Sequence, residues 1–191
     1  MNRPSACRHA AAAATLRPAG PDDAAALAAM GAATFLEAFG DHPGNRRSDV
    51  EEYVAVAYAV EKVARDLAHP AESTVLAESA AAGGLVGFAS LWQGPRADGV
   101  VGDRPVELRR LYVAAGRRGA ALGSTLMAWA LDEARRLRSD VVWLGVWEHN
   151  PAAQRFYRRW GFEKVGETGF RLGPTPQTDW VMARSLADDA A

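Results

Sequence analysis

The spacing of apolar positions changes several times along the chain, and each change predicts an element. Thr15-Leu16-Arg17-Pro18 reads as a short first strand that Pro18 and Gly20 bring to an end. Pro21-Asp22-Asp23 carries the proline and carboxylates of a helix start. Leu27, Met30, Thr34, Phe35 and Phe39 then fall on one helical stripe, which Gly40 closes. A turn over 41–45 leads to a second helical region, about 49–69. Residues 73–78 and 85–92 read as the two strands of a hairpin, and 93–105, rich in Gly and Pro, reads as a loop.

The central stretch is the most informative. Val106, Leu108 and Tyr112 interleave with Leu111 and Val113 around Glu107, Arg109 and Arg110, as in a strand. Gly116, Gly119 and Gly123 punctuate a basic turn, after which Leu126, Ala130, Ala134 and Leu137 follow a helical period. A strand thus runs into a glycine-containing loop and a helix N-terminus, which aims unpaired backbone N–H groups at whatever lies above it. A phosphate suits that position, and Arg117 and Arg118 reinforce it; an ordinary strand-to-helix connection is the alternative. Residues 141–147 form a nearly continuous apolar strand, as expected for one covered on both faces. Pro151 opens a short helix that Gly161 ends, and 162–167 and 180–184 are the last strands, joined by 169–178. The order β-α-α-β-β-β-α-β-α-β-β predicts one mixed α/β domain over 15–187, between a leader at 1–14 and a short tail at 188–191.

Two motifs carry a family resemblance. Arg118-Gly119-Ala120-Ala121-Leu122-Gly123 resembles the Arg/Gln-x-x-Gly-x-Gly/Ala acetyl-CoA signature of the GCN5-related N-acetyltransferases, the GNAT superfamily. Ala121 stands where that family has its middle glycine, and its methyl group is expected to crowd a pyrophosphate or to exclude a positive φ. Asn150-Pro151-Ala152-Ala153-Gln154-Arg155-Phe156-Tyr157-Arg158-Arg159-Trp160-Gly161-Phe162 resembles the second signature, Asn-x-x-Ala-x-x-Phe-Tyr-x-x-x-Gly-Phe. Read physically, Phe156 and Trp160 are core anchors at i and i+4, with Ala153 on their face. Tyr157 projects elsewhere with a hydroxyl that wants a partner. Trp143-Leu144-Gly145-Val146-Trp147-Glu148, Thr34-Phe35, Ala38-Phe39 and Gln177-Thr178-Asp179-Trp180-Val181-Met182 are similar to bacterial PaiA-type spermidine/spermine acetyltransferases.

The resemblance implies a single-domain GNAT fold, with a mixed, mostly antiparallel twisted sheet and helices on both faces. It implies acetyl-CoA as co-substrate, its pyrophosphate over Arg117, Arg118, Gly119, Ala120, Ala121, Leu122, Gly123 and Ser124. Pantetheine is expected along Leu111, Tyr112 and Val113, in a gap before 141–147, with Asn150, Ala153, Phe156 and Tyr157 beside it. Tyr157 is the residue the family uses to give the leaving thiolate a proton or a hydrogen bond.

Acetyl transfer to an amine adds a requirement. A primary amine with pKa about 10 is only about 0.1% neutral near pH 7, a deficit of about 4 kcal/mol, so a proton acceptor is expected. Glu107 is the first candidate and Glu148 the second, weighed against a surface carboxylate paired with a nearby arginine. Glu37, Asp41 and Trp147 are the acceptor-side candidates, with His42 and His149 as loop residues close by. At 191 residues the chain suits one domain, and a net charge of −1 gives no global field that draws it to nucleic acid or membrane. The single cysteine, Cys7, excludes an internal disulfide and a cysteine zinc site, and fits a reducing cytoplasm without a metal. The acceptor is expected to be a small amine, a polyamine among the candidates, and a homodimer is compatible with all of this. A protein N-terminal or lysine acetyltransferase and a non-enzymatic acetyl-CoA-binding module are the other readings.

Overall fold

The computed structural model describes residues 14–117 and 121–187. Seven strands form one sheet in the order β1-β2-β3-β4-β5-β7-β6. They are β1 (Thr15–Pro18), β2 (Glu72–Ser79), β3 (Gly84–Trp92), β4 (Pro105–Val113), β5 (Val141–Trp147), β6 (Glu163–Leu172) and β7 (Thr175–Ser185). Only the central β4–β5 pair is parallel; the other neighbours are antiparallel. This is the expected mixed α/β fold.

Helices α1 (Ala24–Phe39), α2 (Arg47–Ala57) and α3 (Val60–Leu67) cover one face, and α4 (Leu122–Arg136) and α5 (Pro151–Arg159) the other. The α4 stripe is Leu126, Met127, Ala130, Leu131 and Ala134, each at most 3% exposed against Val106, Leu108, Val142 and Leu144 of the sheet. On the opposite face Leu27 and Ala28 of α1 and Val63 of α3 bury against Leu76 and Phe88. None of the described helices is long and apolar enough to cross a membrane.

The expected second helical region is two helices. The break falls at Tyr58-Ala59, where the Tyr58 hydroxyl donates to the Tyr112 hydroxyl at 2.8 Å and the ring packs where a side chain on Gly31 would stand. A tertiary contact interrupts a local helical preference there. The last two strands are also longer than their apolar runs suggest. Residues 169–178, expected as a connection, continue the β6–β7 ladder down to the Leu172↔Thr175 pair. Backbone pairing completes this hairpin, and Phe170 and Leu172 anchor it on Tyr53 and the α1–α2 cluster.

One irregularity decides which side chains of β4 face which way. Ser90 aligns with Arg110 but Leu91 with Leu108, so Arg109 is an extra residue, a β-bulge. Before it, Val106 and Leu108 point to the α4 face; after it, Leu111 and Val113 do, and Tyr112 joins the α1–α3 face.

Candidate active site

β4 and β5 pair only over Pro105↔Val141, Val106↔Val142 and Glu107↔Trp143. Beyond that point β5 stays paired with β7 as far as Trp147, β4 stays paired with β3 as far as Val113, and the two strands part. Ala114 N–H donates to Val86 O, so strand parity turns Tyr112 toward β3 and the backbone groups of Leu111 and Val113 into the opening. Buried backbone groups need partners, and a cleft of about 1370 Å³ passes through this opening. The gap expected beside Leu111, Tyr112 and Val113 is therefore present, and all three line it.

At the C-terminal end of the gap, Ala121, Gly123 and Ser124 line the cleft where α4 begins. Ala121 has φ 61° and ψ −5°, in the left-handed region. The expectation that its methyl excludes a positive φ is overturned, at a cost of about 1–2 kcal/mol for a non-glycine residue. Leu122 buries its side chain in the core, so it offers only backbone to a ligand. Arg117 closes a 3₁₀ turn, Ala115–Arg117, and does not line the cleft. Arg118, Gly119 and Ala120 lie outside the described residues. Open strand backbone leading to a helix N-terminus fits an extended amide chain ending in a diphosphate.

α5 closes this side of the cleft. Asn150 lines the cleft, and its Oδ1 accepts from Ala153 N–H at 3.0 Å, a helix cap that does not use the amide nitrogen. Gln154, unforeseen from the sequence, is the buried residue of α5; its Nε2 donates to Trp147 O at 3.1 Å and Glu148 O at 2.9 Å, holding the turn after β5. Ala153, Phe156 and Tyr157 line the cleft. Tyr157 packs against the same core as Phe156 and Trp160 rather than away from it. Burial pushes its hydroxyl up to about 12, and none of the described residues hydrogen-bonds to it.

The α1–α3 side of the cleft carries carboxylates and rings. Burial pushes the Glu107 carboxyl above the usual range, with Arg109 opposing at 3.8 Å. Arg109 is shared: it also pairs with Glu72 at 3.4 Å and stacks 4.1 Å over Trp92, so the protein itself answers its charge. Glu37 lines the cleft, whereas Asp41 is exposed and pairs with Arg47 at 2.8 Å, outside the lining. Glu148 is exposed and is also outside the lining. Trp147 lines the cleft with His42, Phe39 and His149 around it at ring distances of 4.4, 5.1 and 5.3 Å. Its Nε1 donates to Gln177 Oε1 at 2.7 Å, and Gln177 in turn donates to Asn45 at 3.1 Å.

Asp179 also lines the cleft and was missed as a site residue. It pairs with Trp147 in the β5–β7 ladder, and burial, with the negative charge of Glu148 added, pushes its carboxyl up to about 6. Its alternation with Val181 and Ala183 was a usable signal, but only once the strand was known to extend past Trp180.

The same assignment emerges from known proteins. Residues 36–162 match the family model described as Acetyltransferase (GNAT) family. The chain is 35% identical over 164 residues to an uncharacterized N-acetyltransferase of Mycobacterium tuberculosis (strain ATCC 25618 / H37Rv), covering 86% of this chain and 98% of the relative. Its fold is similar to the PaiA N-acetyltransferase of Thermoplasma acidophilum in complex with coenzyme A, with a TM-score of 0.72, 18% identity, and 90% and 98% of the two chains covered. It is also similar to a ribosomal-protein-alanine N-acetyltransferase from Brucella melitensis, with a TM-score of 0.63, 25% identity, and 90% and 99% covered. The chain belongs to the GNAT family of acetyltransferases and is an acetyl-CoA-dependent N-acetyltransferase.

Proposed function

We propose that the enzyme transfers acetyl directly to a primary amine of a small cationic acceptor, with polyamines the first class to test. The observation that carries this is the parting of β4 and β5 beyond Glu107. It opens one cleft with bare strand backbone and Tyr157 on one side, and half-buried carboxylates among aromatic rings on the other. The likeness to PaiA-type enzymes in residues 143–148 and 177–182 supports the same acceptor class.

Acetyl-CoA, when bound, supplies an activated thioester and a thiolate leaving group. The backbone of Leu111 and Val113 would hold its extended chain by strand-like hydrogen bonds, and the backbone of Ala121 to Ser124 would take the diphosphate, with Arg118, outside the described residues, expected to add positive charge. Glu107, desolvated and lying on the α1–α3 side, accepts the amine proton, through water where the substrate does not reach it. Tyr157 donates a hydrogen bond to the sulfur. Burial holds that hydroxyl well above the reference thiol value near 8.5, so Tyr157 would give the sulfur a hydrogen bond as the C–S bond breaks rather than a proton ahead of it.

A CoA-release assay over polyamines, amino acids, aminoglycosides and N-terminal peptides tests the reading. Turnover concentrated on polyamines is the expected result. Turnover confined to peptides moves the acceptor to a protein amine, the class to which the name of the Brucella ribosomal-protein-alanine N-acetyltransferase points. No turnover with any amine, despite measurable acetyl-CoA binding, overturns the small-amine assignment.

A further inference from the structure

We propose that Asp179 binds an ammonium group of the acceptor other than the nitrogen that is acetylated, so that the enzyme selects amines carrying a second positive charge. The inference rests on the acetyl-transfer reading above and adds to it the residue that sets the acceptor's charge.

Two other carboxylates of the cleft already have cations. Glu107 has Arg109 at 3.8 Å, and Asp66 has Lys62 at 2.7 Å and Arg110 at 3.6 Å. Asp179 receives no hydrogen bond and no ion pair from any described residue; its electrostatic neighbours are Glu148, also negative, and the Tyr53 hydroxyl, which carries no positive charge. Burying a carboxylate without a partner beside a second negative charge is costly, and the raised pKa records that cost. A cation entering the cleft relieves it.

Three further features make this a place for an ammonium. Gly145 lies diagonally across the ladder from Asp179, and a Cβ there would stand 3.3 Å from Asp179 Oδ2, so glycine keeps the space beside the carboxylate open. Trp147 lies directly opposite Asp179 in the register, its indole fixed by Gln177, with Phe39 and His42 completing an aromatic wall. Ring faces attract ammonium groups, and more strongly when desolvated. Finally, Asp179 is level with Trp147 and Glu107 with Trp143, four positions along β5 and two strand spacings apart. That is about 16 Å between the two Cα atoms from ordinary strand rise and spacing. The nitrogen held at Asp179 is therefore a different atom from the one that reacts near Glu107.

The test compares spermidine with a soluble oligoethylene-glycol monoamine of equal length, at saturating acetyl-CoA. Wild-type enzyme is expected to favour spermidine. Asp179→Asn should raise the KM for spermidine about 10- to 100-fold, the range of one charge-assisted hydrogen bond, with kcat nearly unchanged. The KM for the monoamine and the affinity for acetyl-CoA should stay as they are, and Asp179→Glu should recover part of the spermidine preference. Equal losses on both amines, or a fall in kcat at constant KM, overturn the assignment, the second by making Asp179 a proton acceptor. Turnover by wild type without preference for the second charge overturns this inference alone. Failure to acetylate any amine overturns the small-amine reading with it.

Discussion

Tyr157 offers one hydroxyl to the cleft, and its desolvation keeps that hydroxyl protonated across the working pH range. Tyr157→Phe retains the ring packed beside Phe156 and Phe162. Turnover should fall about 10- to 10⁴-fold while acetyl-CoA affinity, measured by calorimetry, is kept; equal losses in both would make the tyrosine structural. At Ala121 the left-handed backbone favours glycine over alanine. Ala121→Gly should stabilise the fold by about 1 kcal/mol, the relief of strain exceeding the added unfolded-state entropy, and an unchanged or lowered urea midpoint would contradict this. Asp179 gives a pH signature. Its folded pKa, near 6, lies above the usual 3.8, so its contribution to stability is fully present below about pH 4 and is lost as pH rises through 6. Asp179→Asn should therefore match wild type near pH 4 and exceed it by on the order of 3 kcal/mol above pH 7. Equal unfolding free energies at both pH values would show that the carboxylate is not penalised.

The element that does most for the site is β4, and its bulge is why. Without the extra residue at Arg109, the apolar alternation set by Val106 and Leu108 would carry Arg110 and Tyr112 onto the α4 face. With it, Leu111 and Val113 return to that core, and Tyr112 reaches Tyr58 across the α2–α3 break. The free edge of β4 then does the binding. Proline tolerates an edge position whose N–H faces away from the paired strand, so Val113→Pro should fold. It should weaken acetyl-CoA binding about 3- to 10-fold through one lost hydrogen bond; unaltered affinity in a titration would show that the cofactor does not pair with this edge. The sequence around Val106 to Val113 reads as a strand either way. A bulge changes no residue type, only which of them lie opposite β3, so periodicity alone leaves the faces undecided.

At the scale of the molecule, the halves β1–β4 and β5–β7 meet through three paired positions of the sheet. A ligand lying between the parted strands completes that junction. At a hundredfold excess over its Kd, acetyl-CoA should stabilise the native state by about 2.7 kcal/mol, a rise in Tm of roughly 5–10 °C for a domain of this size. Exchange protection should rise at both Leu111 and Val113 and along the end of β5 near Trp147. Protection confined to one strand would place the cofactor outside the gap. Much of this architecture was legible in the amino-acid sequence itself. The periods of α1 and α4, the apolar run of β5, the helix start at Pro151 and the Asn150–Phe162 motif depend on residues close together in the chain, where spacing and capping rules act directly. The break at Tyr58, the full length of the β6–β7 hairpin, the bulge and the parting of the strands depend instead on partners distant in sequence. So does Asp179, whose unpaired charge arises from Trp147, Gly145 and Glu148 on another strand and its following turn. A side chain's type is written in the sequence, but its desolvation and its neighbours are properties of the assembled sheet, and those are what turn one aspartate among many into a site.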